Sequence, residues 1–150
     1  MPRKNNAPPP RRAYRSALRV HILGIIIINK RIHGYGIYKE ILKNTRLIER
    51  FGKPSIGTIY RILNSLVEEG LVLKNEEKSG GRTLYYYSAT RKGYEEFAGI
   101  CEAFLDKIVS GTRMILHAIP SLQEAGINTE GIVKRLKEIH GMIEEHLFKE

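Results

Sequence analysis

Apolar side chains recur at every third or fourth position in three consecutive segments early in the chain. These segments cover about residues 14–29, 35–47 and 56–69. Because this spacing lines one face of an α-helix, the pattern predicts three amphipathic helices in succession. The residues expected to face inward are Leu18, Ile22, Ile25 and Ile26, then Ile37, Ile41 and Leu42, then Ile59, Ile62, Leu63, Leu66 and Val67.

After the third helix the period changes to two. The runs that alternate apolar and polar residues are Leu71 and Leu73, then Leu84, Tyr86 and Ser88. Residues 77–82 lie between the runs and contain a Gly-Gly pair, which is typical of the tight turn of a β-hairpin. The pattern therefore predicts a hairpin with Lys78 and Arg82 at its tip.

Two further helices are predicted after the hairpin. Thr90 would cap a long helix over about residues 91–117, Pro120 and Gly126 would lie in a connection, and Thr129 would cap the last helix. Their apolar stripes are Phe97, Ile100, Cys101, Phe104, Leu105, Ile108 and Ile115, then Ile132, Leu136, Ile139, Ile143 and Leu147. Two helices cover each other only partly, so the stripes predict a homodimer. The alternative is that these helices fold back on the preceding domain.

Three helices followed by a hairpin is the order of a winged helix-turn-helix. We therefore predict a mainly α fold with a small β-hairpin (α+β), with a winged helix DNA-binding domain over residues 14–92. A helical dimerisation arm would cover residues 93–150. Residues 1–13 are rich in proline and basic residues and are predicted to be a disordered tail. This tail is interpreted either as a solvated segment or as a basic arm that reaches DNA.

The charge distribution separates the two halves of the chain. The protein has 25 Lys and Arg against 16 Asp and Glu, a net charge of +9. Residues 1–92 contain 19 of the basic and 6 of the acidic residues, so this part carries +13 and residues 93–150 carry −4. A basic front half indicates a polyanionic partner, either nucleic acid or an anionic membrane surface.

Other function classes find little support in the sequence. The apolar run at residues 20–28 follows several arginines but is shorter than the roughly 20 residues that span a bilayer. Cys101 is the only cysteine, so we expect no disulfide, no thiolate metal site and an intracellular protein. The five scattered histidines form no catalytic or metal motif. We expect no enzyme activity, no cofactor, no metal and no membrane association.

The third helix carries the candidate DNA-reading residues. Ser55, Thr58 and Arg61 fall at a spacing of three, opposite the apolar stripe, with Tyr60 and Asn64 flanking that face. Short polar and Arg side chains are suited to reading base edges in the major groove. Lys78 and Arg82 at the hairpin tip are suited to an adjacent groove or its phosphates. The alternative is that the polar face is merely solvated.

Several motifs in order resemble those of PadR-type transcriptional regulators. They are His33-Gly34-Tyr35-Gly36-Ile37, residues 54–63, Glu68-Glu69-Gly70-Leu71-Val72, Ser79-Gly80-Gly81-Arg82 with Tyr85-Tyr86-Tyr87-Ser88, and Thr90-Arg91-Lys92-Gly93. The resemblance covers about residues 18–93. It implies a homodimeric repressor with Ser55, Thr58, Tyr60 and Arg61 on the recognition helix, and a dimer interface after the wing. Many members have Glu where Gly36 stands, and Pro where Ile56 or Arg61 stands.

The sequence thus predicts a double-stranded DNA-binding regulator, a homodimeric repressor that reads a palindromic operator in a prokaryotic cytoplasm, at the nucleoid. Two alternatives stay open: a sequence-independent, chromatin-type DNA binder and a winged helix that docks proteins. A small-molecule effector is expected within such a family, but no residue pattern identifies it.

Overall fold

The computed structural model describes residues 11–149, so the predicted basic tail lies outside the described residues up to position 10. The helices and strands in chain order are α1 Arg11–Asn29, β1 Ile32–His33, α2 Gly34–Lys43, α3 Thr45–Phe51, α4 Ile56–Glu68, β2 Val72–Ser79, β3 Arg82–Ala89, α5 Arg91–Glu124 and α6 Glu130–Leu147. This order confirms the predicted mainly helical fold with a small antiparallel sheet. The chain divides into two compact units, and the boundary falls between residues 102 and 103, within α5.

The core of the first unit is built from the predicted apolar stripes. Its fully buried side chains come from α1, α2, α4, the turn after α4 and the sheet, and they are Leu18, Ile22, Leu23, Ile26, Ile37, Ile41, Ile59, Leu63, Leu66, Leu71, Val72 and Tyr87. Each buried aliphatic side chain contributes roughly 1.5–3 kcal/mol to stability. This shared core fixes α4 against α1 and α2 and leaves its opposite face exposed.

The second predicted helix is in fact two. Asn44 interrupts residues 35–47 with ψ 82°, and its Oδ1 accepts a hydrogen bond of 3.1 Å from the backbone N–H of Leu47. Asn competes with helix continuation because its short side chain can bond to nearby backbone groups. Thr45–Phe51 therefore forms a separate helix, α3, which contributes the buried side chain of Leu47 to the core.

The sheet has three strands in the order β1-β3-β2, one more than the predicted hairpin. β1 has only two residues, Ile32 paired with Tyr87 and His33 with Tyr86. A strand this short carries no periodic signal. It exists because β3, far along the chain, offers a free edge.

Burial in the hairpin does not follow the alternation of apolar and polar residues in the sequence. Val72 and Tyr87 are buried, whereas Leu73 is 54% exposed and Leu84 is 37% exposed. Leu71 is buried, but it lies in the turn before β2, where its N–H bonds to the carbonyl of Leu66. The alternation of the strand therefore starts one residue later than the sequence suggests.

The connection between the last two helices differs from expectation as well. α5 continues to Glu124 with Pro120 inside it. Gly126, with φ 75°, follows this end of the helix. Its N–H donates to the carbonyl of Gln123, and the N–H of Ile127 donates to the carbonyl of Leu122. This glycine-terminated pattern satisfies the last carbonyls of the helix. Proline costs a helix one backbone hydrogen bond but does not supply such a stop.

Thr129 does not cap α6 with its side chain. Its hydroxyl accepts a hydrogen bond of 3.1 Å from Gln123 Nε2, and Asn128 Oδ1 instead accepts from the N–H of Glu130 at 2.8 Å. Thr90 caps α5 as predicted, because its hydroxyl accepts from the N–H of Gly93. Ser55 caps α4, because its Oγ accepts from the N–H of Thr58.

The C-terminal end of α4 is held by α1 and α5. Arg19 of α1 forms a two-pronged ion pair with Glu69, and Ser65 Oγ donates to the same carboxylate at 2.9 Å. The hydroxyl of Thr90 donates to the carbonyl of Gly70 at 2.6 Å, and Lys92 Nζ to that of Glu69 at 2.9 Å. We call this cluster the α4 clamp.

Gly93 lies against the clamp where no side chain fits. A Cβ atom at this position would be 2.1 Å from the carbonyl oxygen of Leu71. We predict that Gly93→Ala lowers the free energy of unfolding by about 1–3 kcal/mol, because backbone must move to relieve the clash. Gly99→Ala on the same helix meets open space and should raise it by about 0.5–1 kcal/mol. Urea unfolding measures both, and equal effects would contradict the close approach.

The Arg19–Glu69 pair predicts an acid-sensitive contribution to stability. The hydrogen bonds from Arg19 and then Ser65 lower the pKa of Glu69 from its ordinary value of 4.5. A lowered folded-state pKa stabilises the protein above pH 4.5, and this stabilisation is lost as the pH falls through the folded value. We expect Glu69→Gln to cost less than about 1 kcal/mol at pH 7, since the carboxylate is half exposed. The difference in unfolding free energy between Glu69→Gln and wild type should shrink at pH 3. A difference that does not depend on pH would refute this role of the Glu69 carboxylate.

Candidate nucleic-acid interface

The candidate interface centres on the outward face of α4. Ile59, Leu63 and Leu66 are buried, while Ser55, Tyr60, Arg61 and Asn64 are exposed and Thr58 is half-buried. A helix about 10–12 Å across fits the major groove of B-DNA, which is about 12 Å wide. The predicted reading residues therefore do lie on the side of α4 turned away from the core.

Ser55 and Thr58 are partly engaged with one another. Ser55 Oγ accepts from the Thr58 N–H at 3.1 Å, and the two hydroxyl oxygens are 2.9 Å apart. One of the two hydroxyl protons is used within this pair and the other stays available. The pair thus begins the helix and still offers one donor to a ligand.

Thr58 and Arg61 face α1. They line an open cleft of about 420 Å³ between the two helices, which we call the α1–α4 cleft. Its other lining residues are Arg15, Ser16, Arg19, Ile62 and Ser65. Arg15 and Ser16 were missed by the sequence analysis, because they precede α4 by some forty residues and carry no motif.

Tyr60 lies on the other side of α4, towards the sheet. It lines a second cleft of about 590 Å³, the wing cleft, together with cationic and aromatic groups of α2, of all three strands and of the residue before β1. These include Arg31, His33, Tyr35, Lys39, Lys74 and Tyr85. The Tyr60 ring lies so close to Gly34 that a Cβ there would be 2.7 Å from the ring. Tyr60 and Arg61 therefore serve different flanks of the helix.

The wing is the hairpin formed by β2 and β3. It ends in a tight turn at Gly80 and Gly81, with φ 57° and 77°. Positive φ at both central residues suits the twist of a two-residue hairpin turn. Lys78 pairs with Thr83 and Ser79 with Arg82. Because paired residues share a face and neighbours alternate, Lys78 and Arg82 are on opposite faces of the wing. Lys78 shares its face with Lys74 and Tyr85, which line the wing cleft.

A stacked group on the other face connects the wing to the start of α2. The Arg31 guanidinium lies 3.7 Å above the ring centroid of Tyr86 and forms an ion pair with Glu77 of β2. The His33 ring is 3.7 Å from the same tyrosine ring, centroid to centroid. Desolvation and then a hydrogen bond to Glu77 raise the pKa of Tyr86. These contacts tie β1, β2 and β3 together at one point.

Metal sites and membrane-spanning helices were also sought in the part of the chain that the structure describes. No group of three His, Cys, Asp or Glu side chains is placed to hold a metal ion within residues 11–149. Over the same residues, no helix combines the length and apolar character needed to cross a bilayer.

Comparisons with known proteins agree with this architecture. The structure is similar to a PadR family transcriptional regulator from Eggerthella lenta, with 19% identity and a TM-score of 0.55 over 71% of this chain and 87% of that one. It is similar to a PadR-like regulator from Bacillus cereus, with 25% identity and a TM-score of 0.54 over 70% and 95%. A PadR-like transcription factor from Bacteroides fragilis matches with 24% identity and a TM-score of 0.55, again over 70% and 95%.

No curated protein matches the chain. The family model described as the transcriptional regulator PadR-like family matches residues 22–99, which is more than half of the sequence. This match spans α2, α4, the wing and the first turns of α5. The chain therefore belongs to the PadR-like family of transcriptional regulators.

Proposed function

We propose that this DNA-binding regulator is a sequence-specific, homodimeric repressor that reads a palindromic operator. The observation that carries the proposal is the exposed polar face of α4, where Arg61 and Asn64 lie opposite the buried stripe. Arg can bond to both acceptors of guanine, and Asn to the donor and acceptor of adenine. Arg61, Asn64 and Tyr60 would read the groove, with Ser55 and Thr58 at the start of the helix.

The wing would contribute contacts to the DNA backbone. Lys78 projects on the face shared with the wing cleft, and Arg82 projects on the opposite face. With its cations on both faces, the wing tip can bind the phosphates of either strand bordering a groove. Such contacts hold the protein on DNA and carry no sequence information by themselves.

Dimerisation is supported by the second compact unit. Among its described residues only Thr129 is buried, and α6 has no buried residue. Many of its large apolar side chains are solvent-exposed, including Phe104 at 62%, Leu105 at 55% and Leu147 at 74%. Unpaired apolar area of this kind is covered by another subunit in stable oligomers. A two-fold dimer would present two copies of α4 to half-sites about one helical turn apart.

The proposed site of action is the nucleoid of a prokaryotic cytoplasm. The test is binding of labelled DNA from upstream of the protein's own gene, with excess random DNA as competitor at physiological salt. Retention of the upstream fragment with nanomolar affinity supports a specific regulator. Equal loss of both DNAs would favour sequence-independent binding, and no binding at low salt would favour a protein-docking role. Repression is then read from transcription of that promoter in vitro.

Arg61 and Lys78 should have separable effects on binding. We predict that Arg61→Ala reduces affinity for the operator more than for random DNA, by roughly tenfold or more, because a base contact is worth about 1–3 kcal/mol. Lys78→Ala should weaken both by the same factor and reduce the slope of log K against log salt by about 0.9. Fluorescence anisotropy at several salt concentrations measures both quantities. Identical behaviour of the two variants would refute this division of roles.

The apolar face of α6 should control assembly. Ile143 is 45% exposed, and we expect Ile143→Glu to raise the dimer dissociation constant more than tenfold by burying a carboxylate. Lys134→Glu places a carboxylate on the opposite side of the same helix and serves as the matched control. Sedimentation equilibrium gives the dissociation constants. A dimer that tolerates Ile143→Glu as well as Lys134→Glu would exclude this face as the interface.

A further inference from the structure

The α1–α4 cleft has a composition suited to one kind of ligand. Six of its seven lining residues bear a guanidinium or a hydroxyl group, and none is acidic. The hydroxyl residues are Ser16, Thr58 and Ser65, and the basic residues are Arg15, Arg19 and Arg61. Guanidinium and hydroxyl donors together match the acceptor-only oxygens of a phosphate group.

The three arginines differ in how far their charge is neutralised. Arg19 is paired with Glu69 and lies 3.9 Å from Glu96, so it belongs to the α4 clamp. Within residues 11–149 neither Arg15 nor Arg61 has a carboxylate within 4.0 Å. Two uncompensated guanidinium groups therefore line the cleft, one on α1 and one on α4.

We propose that the α1–α4 cleft binds a phosphate group, with Arg15 as its principal ligand and the hydroxyls of Ser16 and Thr58 as further donors. This inference rests on the proposed function, because the phosphate is assigned to the backbone of the bound operator. A helix that fills the major groove has a phosphate backbone along each flank. The α1 side of α4 is one such flank, and Arg15 lies there at the cleft wall.

Arg15 and Arg61 then have different tasks. Arg15 projects from α1, outside the groove-filling helix, and binds the strand backbone. Arg61 projects from α4 at the cleft wall and remains available to a base edge. Anchoring a phosphate beside Arg61 fixes the register of α4 in the groove, since backbone contacts position a protein while base contacts specify sequence.

The same chemistry would accept a free phosphate or phosphomonoester. Such an anion would share Thr58 with the DNA-reading face and would therefore compete with the operator. The two sources of phosphate can be distinguished by testing the protein with and without DNA.

The DNA experiment combines a protein variant with a modified operator. Arg15→Ala should weaken operator and random DNA alike, by about tenfold at low salt, and lower the salt slope by about 0.9. Operators carrying a single neutral methylphosphonate at successive positions should reveal one position that weakens wild type but no longer affects Arg15→Ala. Arg15→Lys keeps the charge and should restore the slope. Arg91→Ala, an exposed arginine paired with Glu95, is the matched charge control.

The DNA-free experiment titrates inorganic phosphate and pyrophosphate into the full chain by two-dimensional amide NMR. Shifts at Ser16, Thr58 and Arg61 that vanish in Arg15→Ala support a free-anion site. The cleft proposal is overturned if Arg15→Ala changes neither the salt slope nor the methylphosphonate pattern, and no anion shifts these amides. If wild type still binds the operator specifically in that case, the proposed function stands. Loss of specific operator binding in wild type would instead overturn the proposed function, and the anion titration would then decide the cleft alone.

Discussion

The architecture of the first unit depends on how the end of α4 is held. At Glu69, Gly70 and Leu71 the chain stops being helical, and two other segments meet it there. Arg19 reaches it from α1, Thr90 and Lys92 from the start of α5, and Gly93 makes room for the Leu71 carbonyl. All of these contacts lie at the C-terminal end of the helix. These contacts fix the position of α4 from one end. The outward face of its N-terminal half, with Ser55, Thr58 and Arg61, therefore stays accessible.

The fold was largely predictable wherever a single local signal decided it. The apolar stripes of α1 and α4 indicated most of their buried residues, and Thr90 marked the start of α5. The prediction failed where a distant partner or a competing side chain decided the outcome. β1 exists only through pairing with β3, Asn44 divides one helical pattern in two, and Gly126 rather than Pro120 ends α5.

The candidate site shows the same limit. An amphipathic helix indicates which residues face outward, so Tyr60, Arg61 and Asn64 could be named from the sequence. It does not indicate which neighbour each flank meets, so the association of Arg61 with Arg15 and of Tyr60 with the wing cleft required the fold. The opposite faces of Lys78 and Arg82 follow from strand register, which becomes known only once the turn is fixed at Gly80 and Gly81.

The close approach of Gly34 to Tyr60 links two positions that belong to different helices. The aromatic ring occupies the volume that any other side chain at position 34 would need. A smaller residue at position 60 would remove that restriction, and a larger one at position 34 would displace the ring from the surface it shares with the wing. As this sequence evolves, the side chains at positions 34 and 60 are thus constrained to change size together. Which substitutions are accepted at one position depends on those already made at the other.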